Sequence, residues 1–281
     1  METEQHSGNG DAEGHPECGA QPRVRAAAAE ARSRLDKRTY LDKEQGRWSI
    51  KGYDFGGGLF EIGWSFVTAR VIAKAVRGES ESRELHEDRA VRRARSRLRR
   101  LVLAANADHL LTLTYRENVT DFADATNDLG RFVRQVRKHL PGWVYIGVPE
   151  RQQRGAWHWH LAVVGRQDVV LLRSLWVAVV GSGNIDVQPP KHCRADQRLA
   201  LVKYLGKYLA KGFEEGSREL NGHRYRASLG IQVPVQSIEL LPEHRGRVAD
   251  YALEQLRKRA GAVGFVWTDE RQLMGWACSW K

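Results

Sequence analysis

The sequence predicts an α+β protein built on an antiparallel sheet. Three observations carry this. Apolar residues after position 109 switch between a strand-like and a helix-like period in the order β-α-β-β-α-β. Hydrophobic residues make up 42% of 281 residues, enough to bury a sizeable core in one large domain or two small ones. No apolar run approaches the ~18–20 residues that a membrane-spanning helix needs.

The elements follow in chain order. HLLTLTY (109–115) reads as a strand. Thr120 or Asp121 then caps a helix whose apolar positions are Phe122, Ala125, Leu129, Phe132, Val133, Val136 and Leu140, and Pro141-Gly142 stops it. WVYIGVPE (143–150) is the second strand, RQQRG turns, and AWHWHLAVVG (156–165) is the third. Residues 168–181 form a helix ended by Gly181, and NIDVQP (184–189) is a short fourth strand. Asp196 opens one more helix, QRLALVKYLGKYLAKGF. This is the order of a ferredoxin-like split βαβ with an appended helix, which places its helices on one face of the sheet.

The flanks are organised differently. Residues 1–33 are a polar, acidic tail, expected to be disordered apart from a short helix in RAAAAEARSRL. Residues 34–105 form an accessory region: a strand pair around Gly56–Gly58, a short helix, then an arginine-rich helix. The triple glycine is no phosphate loop, because no GK[ST] follows it. Residues 106–215 form the core, and 216–281 add a strand, an amphipathic helix and a hairpin with three tryptophans.

Charge narrows the partner. Lys and Arg number 45 against 34 Asp and Glu, a formal net charge of +11, and the acidic tail leaves this excess on the body. A polyanion is expected, nucleic acid ahead of a lipid surface. In DRAVRRARSRLRRLVLAA (88–105), Val91, Ala94, Leu98, Leu101 and Val102 form one helical stripe, and seven arginines cover the rest. A solvated face and a phosphate-binding helix are both readings of this run. The absence of interleaved acids favours the second. Phosphate contacts are expected from Arg92, Arg93, Arg97 and Arg100, and from Arg131, Arg134, Arg137 and Lys138 on the next helix. Cys18, Cys193 and Cys278 are too scattered for a disulfide framework or zinc finger, which points to a reducing cytoplasm. The polar N-terminus does not read as a signal peptide.

Two constellations could carry chemistry. His158 and His160 alternate along one strand, so both imidazoles share a face and could bind one divalent ion. Two half-exposed histidines without a metal is the other reading. Glu150 ends the preceding strand and, across a short turn, could supply a carboxylate; Gln153 is the poorer third ligand. Such a set suits Mg²⁺ or Mn²⁺ handling phosphate. In KYLGKYLAK, Tyr204 and Tyr208 are i,i+4 neighbours, and Lys207 and Lys211 each follow a tyrosine by three. A phenol near pKa 10 needs such help to attack a phosphate. Otherwise the tyrosines cap a core and the lysines snorkel outward.

Together these motifs resemble the HUH endonucleases that initiate rolling-circle replication, most of all the two-tyrosine replication-associated proteins of single-stranded DNA phages and some plasmids. The resemblance covers 109–213. LLTLTY is similar to the first motif and RGAWHWHLAVVG to the second, with His158 and His160 at ligand positions. KYLGKYLAK is similar to the third, with Tyr204 and Tyr208 as nucleophiles and Lys207 and Lys211 as helpers. It implies the HUH endonuclease fold and a metal-dependent nickase and strand transferase. That enzyme acts on single-stranded or supercoiled origin DNA through a 5′-phosphotyrosyl link and a free 3′-OH. A bacterial cytoplasm, and host DNA polymerase, helicase and single-strand-binding protein as partners, are also implied; a membrane is not. A transposase or relaxase with the same chemistry, and a non-catalytic DNA-binding regulator, are the alternatives. The tyrosines follow HxH, which favours replication over a relaxase.

Overall fold

The computed structural model describes residues 46–67, 83–188, 196–214, 224–240, 246–269 and 273–281. All of these but Gly46 lie in one compact unit. The expected tail helix, and the short helix after residue 67, fall outside the described residues.

The core is a five-stranded antiparallel sheet. Its strands are β3 (His109–Tyr115), β4 (Tyr145–Arg151), β5 (Trp157–Val163), β6 (Gly183–Gln188) and the two-residue β7 (Arg226–Ala227), in spatial order β6-β3-β5-β4-β7. The first four run in the ferredoxin-like order expected from the sequence. The connecting helices are α2 (Phe122–His139) and α3 (Val169–Val180). The Asp121 side chain caps α2 by accepting from the Asp124 N–H at 2.9 Å, and Asp168 does the same for α3 through Leu171. Gly181, at φ 75°, ends α3 where a side chain would be strained.

β5 is the central strand, and all seven of its residues are buried. Its odd positions, Trp157, Trp159, Leu161 and Val163, join Leu129, Phe132, Val136, Leu172 and Trp176 of α2 and α3 in one apolar core. The two indole N–H groups find carbonyls: Trp159 donates to Ala125 and Trp157 to Thr120.

The opposite face was expected to be free of helices, and it is not. The helix α1 (Arg83–Ala104) and the appended helix α4 (Gln197–Glu214) cover it. Leu98, Leu101 and Val102 meet Leu201, Leu205 and Leu209, and together they close over Ile146, Val148 and Ala162. The reason is the apolar stripe on α1, which needs a partner surface, and the sheet face between α4 and the strands supplies one.

A second five-stranded antiparallel sheet joins the two flanks. β1 (Arg47–Asp54) and β2 (Phe60–Val67) pair around the glycine turn. The C-terminal flank adds β8 (Gln236–Leu240), β9 (Phe265–Asp269) and β10 (Met274–Cys278), and the order is β8-β1-β2-β10-β9. One face packs on α5 (Val248–Ala260) through Trp48, Ile50, Ile62, Trp64, Val248, Ala252 and Leu256. The tie to α1 is ionic. Glu61 is fully buried and accepts from Arg99 at 2.7 Å and from Arg100. Arg99 also lies over Trp276, and Arg100 over Tyr53 at 3.8 Å. Among the described residues, no helix is long and apolar enough to cross a membrane.

Candidate active site

The alternation along β5 sends His158 and His160 to the face under α1 and α4. The strand register brings their neighbours in: Glu150 of β4 stands opposite His158, and Thr112 of β3 opposite His160. Glu150 therefore reaches the histidines as the short turn predicts. Its carboxylate bonds His160, Oε2 to Nε2 at 2.8 Å, rather than His158 directly across from it. The Thr112 hydroxyl lies 3.3 Å from His160 Nδ1. A hydroxyl can donate or accept, so Thr112 can hold either tautomer of the ring.

α4 lays the tyrosines on this cluster. Leu201, Leu205 and Leu209 bury one stripe of the helix and so fix its rotation. The Tyr208 ring stacks on His160, centroids 4.1 Å apart and planes 18° apart. Tyr204 meets the same imidazole edge-on at 5.7 Å. The Tyr208 hydroxyl donates to the Tyr204 oxygen at 3.0 Å. Lys211 closes the group: its ammonium donates to Glu150 Oε1 at 3.1 Å and to the Arg151 carbonyl at 3.3 Å. Lys207 is exposed and lines a groove between α1 and α4.

The electrostatics follow from burial and these contacts. His158 is pushed down to about 4, first by burial, then by His160 and Arg154, with Glu150 opposing. It is neutral at pH 7, and its Nε2 is buried without a hydrogen-bond partner. Burial alone would raise the Glu150 carboxyl, but hydrogen bonds from His160 and Lys211 outweigh it and hold it below its ordinary value. The Tyr208 phenol is pushed up by burial, by its bond to Tyr204 and by the Glu150 charge.

The donor types fit a divalent cation: two imidazoles, one neutral with an orphaned nitrogen, and a carboxylate on the same face. Among the described residues, however, no group of three or more His, Cys, Asp or Glu side chains stands gathered for a metal. His160 and Glu150 are bonded to each other instead.

The predicted phosphate contacts divide. Arg100 is held by buried Glu61 and Tyr53, so its role is inside the protein. Arg92 lies 5.8 Å over Trp267, and Arg97 lies beside Tyr225. Arg93 is exposed. Arg131, Arg134, Arg137 and Lys138 sit on α2, which packs on the other face of the sheet, away from the tyrosines. Arg131 bonds Asp128, and Arg137 donates to Ser228. The sequence reading missed Thr112; its signal was a polar residue at an alternate position of an otherwise apolar strand.

A ferredoxin-like sheet carrying a His-carboxylate cluster beneath paired tyrosines defines a class suited to phosphodiester chemistry. Residues 108–213 match the family model for replication-associated protein ORF2. Over this segment the chain is similar to replication-associated proteins, which points to DNA replication and to its initiation. No curated protein and no solved structure matches the chain.

Proposed function

We propose that this chain is a rolling-circle replication initiator that nicks and rejoins origin DNA by tyrosine transesterification. The observation that carries the reading is the Tyr204–Tyr208 pair resting on the His160–Glu150–Lys211 cluster, with 3.0 Å between the phenol oxygens. Two nucleophiles so close can serve one phosphate position in turn.

In the reaction, a tyrosine oxygen forms a bond to phosphorus and the P–O3′ bond breaks. The phenol proton is lost, and the departing 3′ oxygen takes up one. The products are a 5′-phosphotyrosyl link and a free 3′-OH, with the ester energy retained for rejoining. Tyr204 acts first in this reading. It is the more exposed of the two, at 38%, and it accepts the Tyr208 hydroxyl hydrogen, which stabilises negative charge on its oxygen. Lys211 adds positive charge beside the reacting group. His158, His160 and Glu150 are the side chains that would hold Mg²⁺ or Mn²⁺, and such an ion supplies charge to the phosphate oxygens. Thr112 would hold the His160 ring in place meanwhile.

The test is a denaturing gel with the full chain and labelled single-stranded DNA of its own replicon, in Mn²⁺ or EDTA. An SDS-resistant adduct that needs Mn²⁺ and disappears in Tyr204→Phe/Tyr208→Phe supports the reading. An adduct that persists in the double variant moves the nucleophile elsewhere. Salt-sensitive binding with no adduct makes the chain a DNA-binding regulator.

A further inference from the structure

We propose that the groove between α1 and α4 binds the sugar–phosphate backbone of a single DNA strand and leads it to the tyrosine pair. This rests on the DNA-nicking reading above and assigns the path of its substrate. The groove holds about 630 Å³ and is lined by Arg95, Leu98 and Arg99 from α1 and by Val202, Lys203, Gly206, Lys207, Ala210 and Lys211 from α4. Five of these are cations, and no acid lines it among the described residues. Arg99 and Lys211 are tied to Glu61 and Glu150. Arg95, Lys203 and Lys207 find no ionic partner among the described residues, so their charge faces the open groove. Three uncompensated cations around a concave surface repel one another, and a row of phosphates relieves that repulsion.

Direction comes from Lys211. It lines the groove and also touches Glu150, the carboxylate bonded to His160. The groove thus runs into the tyrosine cluster, and from Lys203 to Lys211 it follows about 12 Å of helix. Gly206 adds an independent sign. It lies inside α4, where glycine weakens a helix, and an added Cβ would meet nothing within 4 Å. Nothing in the described protein requires a glycine there. A bound strand lying against the helix backbone does.

The experiment measures binding of a short labelled single-stranded oligodeoxynucleotide of mixed sequence over a salt series. The full chain carries Tyr204→Phe/Tyr208→Phe throughout, so no covalent step intervenes. Adding Arg95→Gln/Lys203→Gln is expected to weaken binding and to flatten the plot of log K against log salt by about 1.4, roughly 0.7 per lost phosphate contact. Gly206→Leu leaves the charge alone and suits a helix, so Tm holds or rises while affinity falls about tenfold. If the parent chain shows no salt-sensitive binding, the DNA reading itself fails. If the parent binds but the groove variants keep its affinity and slope, DNA binding stands and the groove is overturned as its path. A matching oligoribonucleotide that binds more tightly overturns DNA as the occupant.

Discussion

The two faces of the central sheet are made from the same strands and do opposite work. On the α2–α3 side, Trp157, Trp159, Leu161, Leu111 and Leu113 pack against Phe132 and Trp176, and the indole N–H groups are satisfied by backbone carbonyls. On the α1–α4 side, one residue away along each strand, stand His158, His160, Glu150 and Thr112, beneath two tyrosines. The first face is closed and carries stability. The second keeps an orphaned imidazole nitrogen and an open basic groove. A period of two is enough to keep the two roles apart, because a strand residue cannot serve both faces.

The largest expected effect falls on chemistry. Tyr204→Phe/Tyr208→Phe should abolish the covalent adduct while the urea-unfolding midpoint stays near that of the parent, since only a 3.0 Å bond between hydroxyls is lost. Loss of folding together with the adduct would mean that the tyrosines serve the core.

On the closed face, Trp159→Ala should cost about 4 kcal/mol, because the indole is fully buried and its cavity cannot collapse. Urea unfolding checks it; a cost under about 1 kcal/mol would mean that this face is not the stabilising one.

Between the sheets, Glu61→Gln leaves Arg99 and Arg100 uncompensated and should cost about 3 kcal/mol. A neutral result in the same measurement would show that both guanidinium groups reach water without help.

The open face should also show itself in pH dependence. His158 is depressed to about 4 when folded, so the unfolded chain binds its proton first as pH falls. Stability is then complete above about 6.5 and lost between about 6.5 and 4, by about 2 kcal/mol in EDTA. His158→Gln should flatten that part of the profile; an unchanged profile would assign the acid sensitivity to other groups.

The smallest effect is expected far from the site. Arg134→Gln/Lys138→Gln on α2 should change single-strand affinity by about twofold or less, against a much larger loss from the groove pair, because α2 lies across the sheet. Equal losses would erase the contrast between the faces for DNA.

Much of the site was legible in the sequence because it depends on local periods. HxH within a strand fixes a shared face, Glu150 lies one short turn away, and i,i+4 spacing pairs the tyrosines. The capping Asp121 and the stop at Pro141-Gly142 likewise mark α2 from nearby residues alone. The arginine run shows where this ends. Seven arginines read alike in sequence, yet Arg99 and Arg100 turn inward to Glu61, Arg92 covers Trp267, and Arg95 faces the groove. Helix rotation alone does not say which partner each meets, since Glu61 lies 38 and 39 positions away from its two arginines.

By itself, then, the sequence determined the element order, the two faces of β5 and the identity of the reacting groups. These follow from hydrophobic period, caps and turns within a few residues. Only the tertiary structure decided that α1 would cover the histidine face, that Glu150 would bond His160, that Thr112 would support that ring, and that distant flanks would share one sheet. Each of these is a pairing between surfaces far apart in the chain, selected by which apolar faces and charges remain unmatched once the local elements have formed.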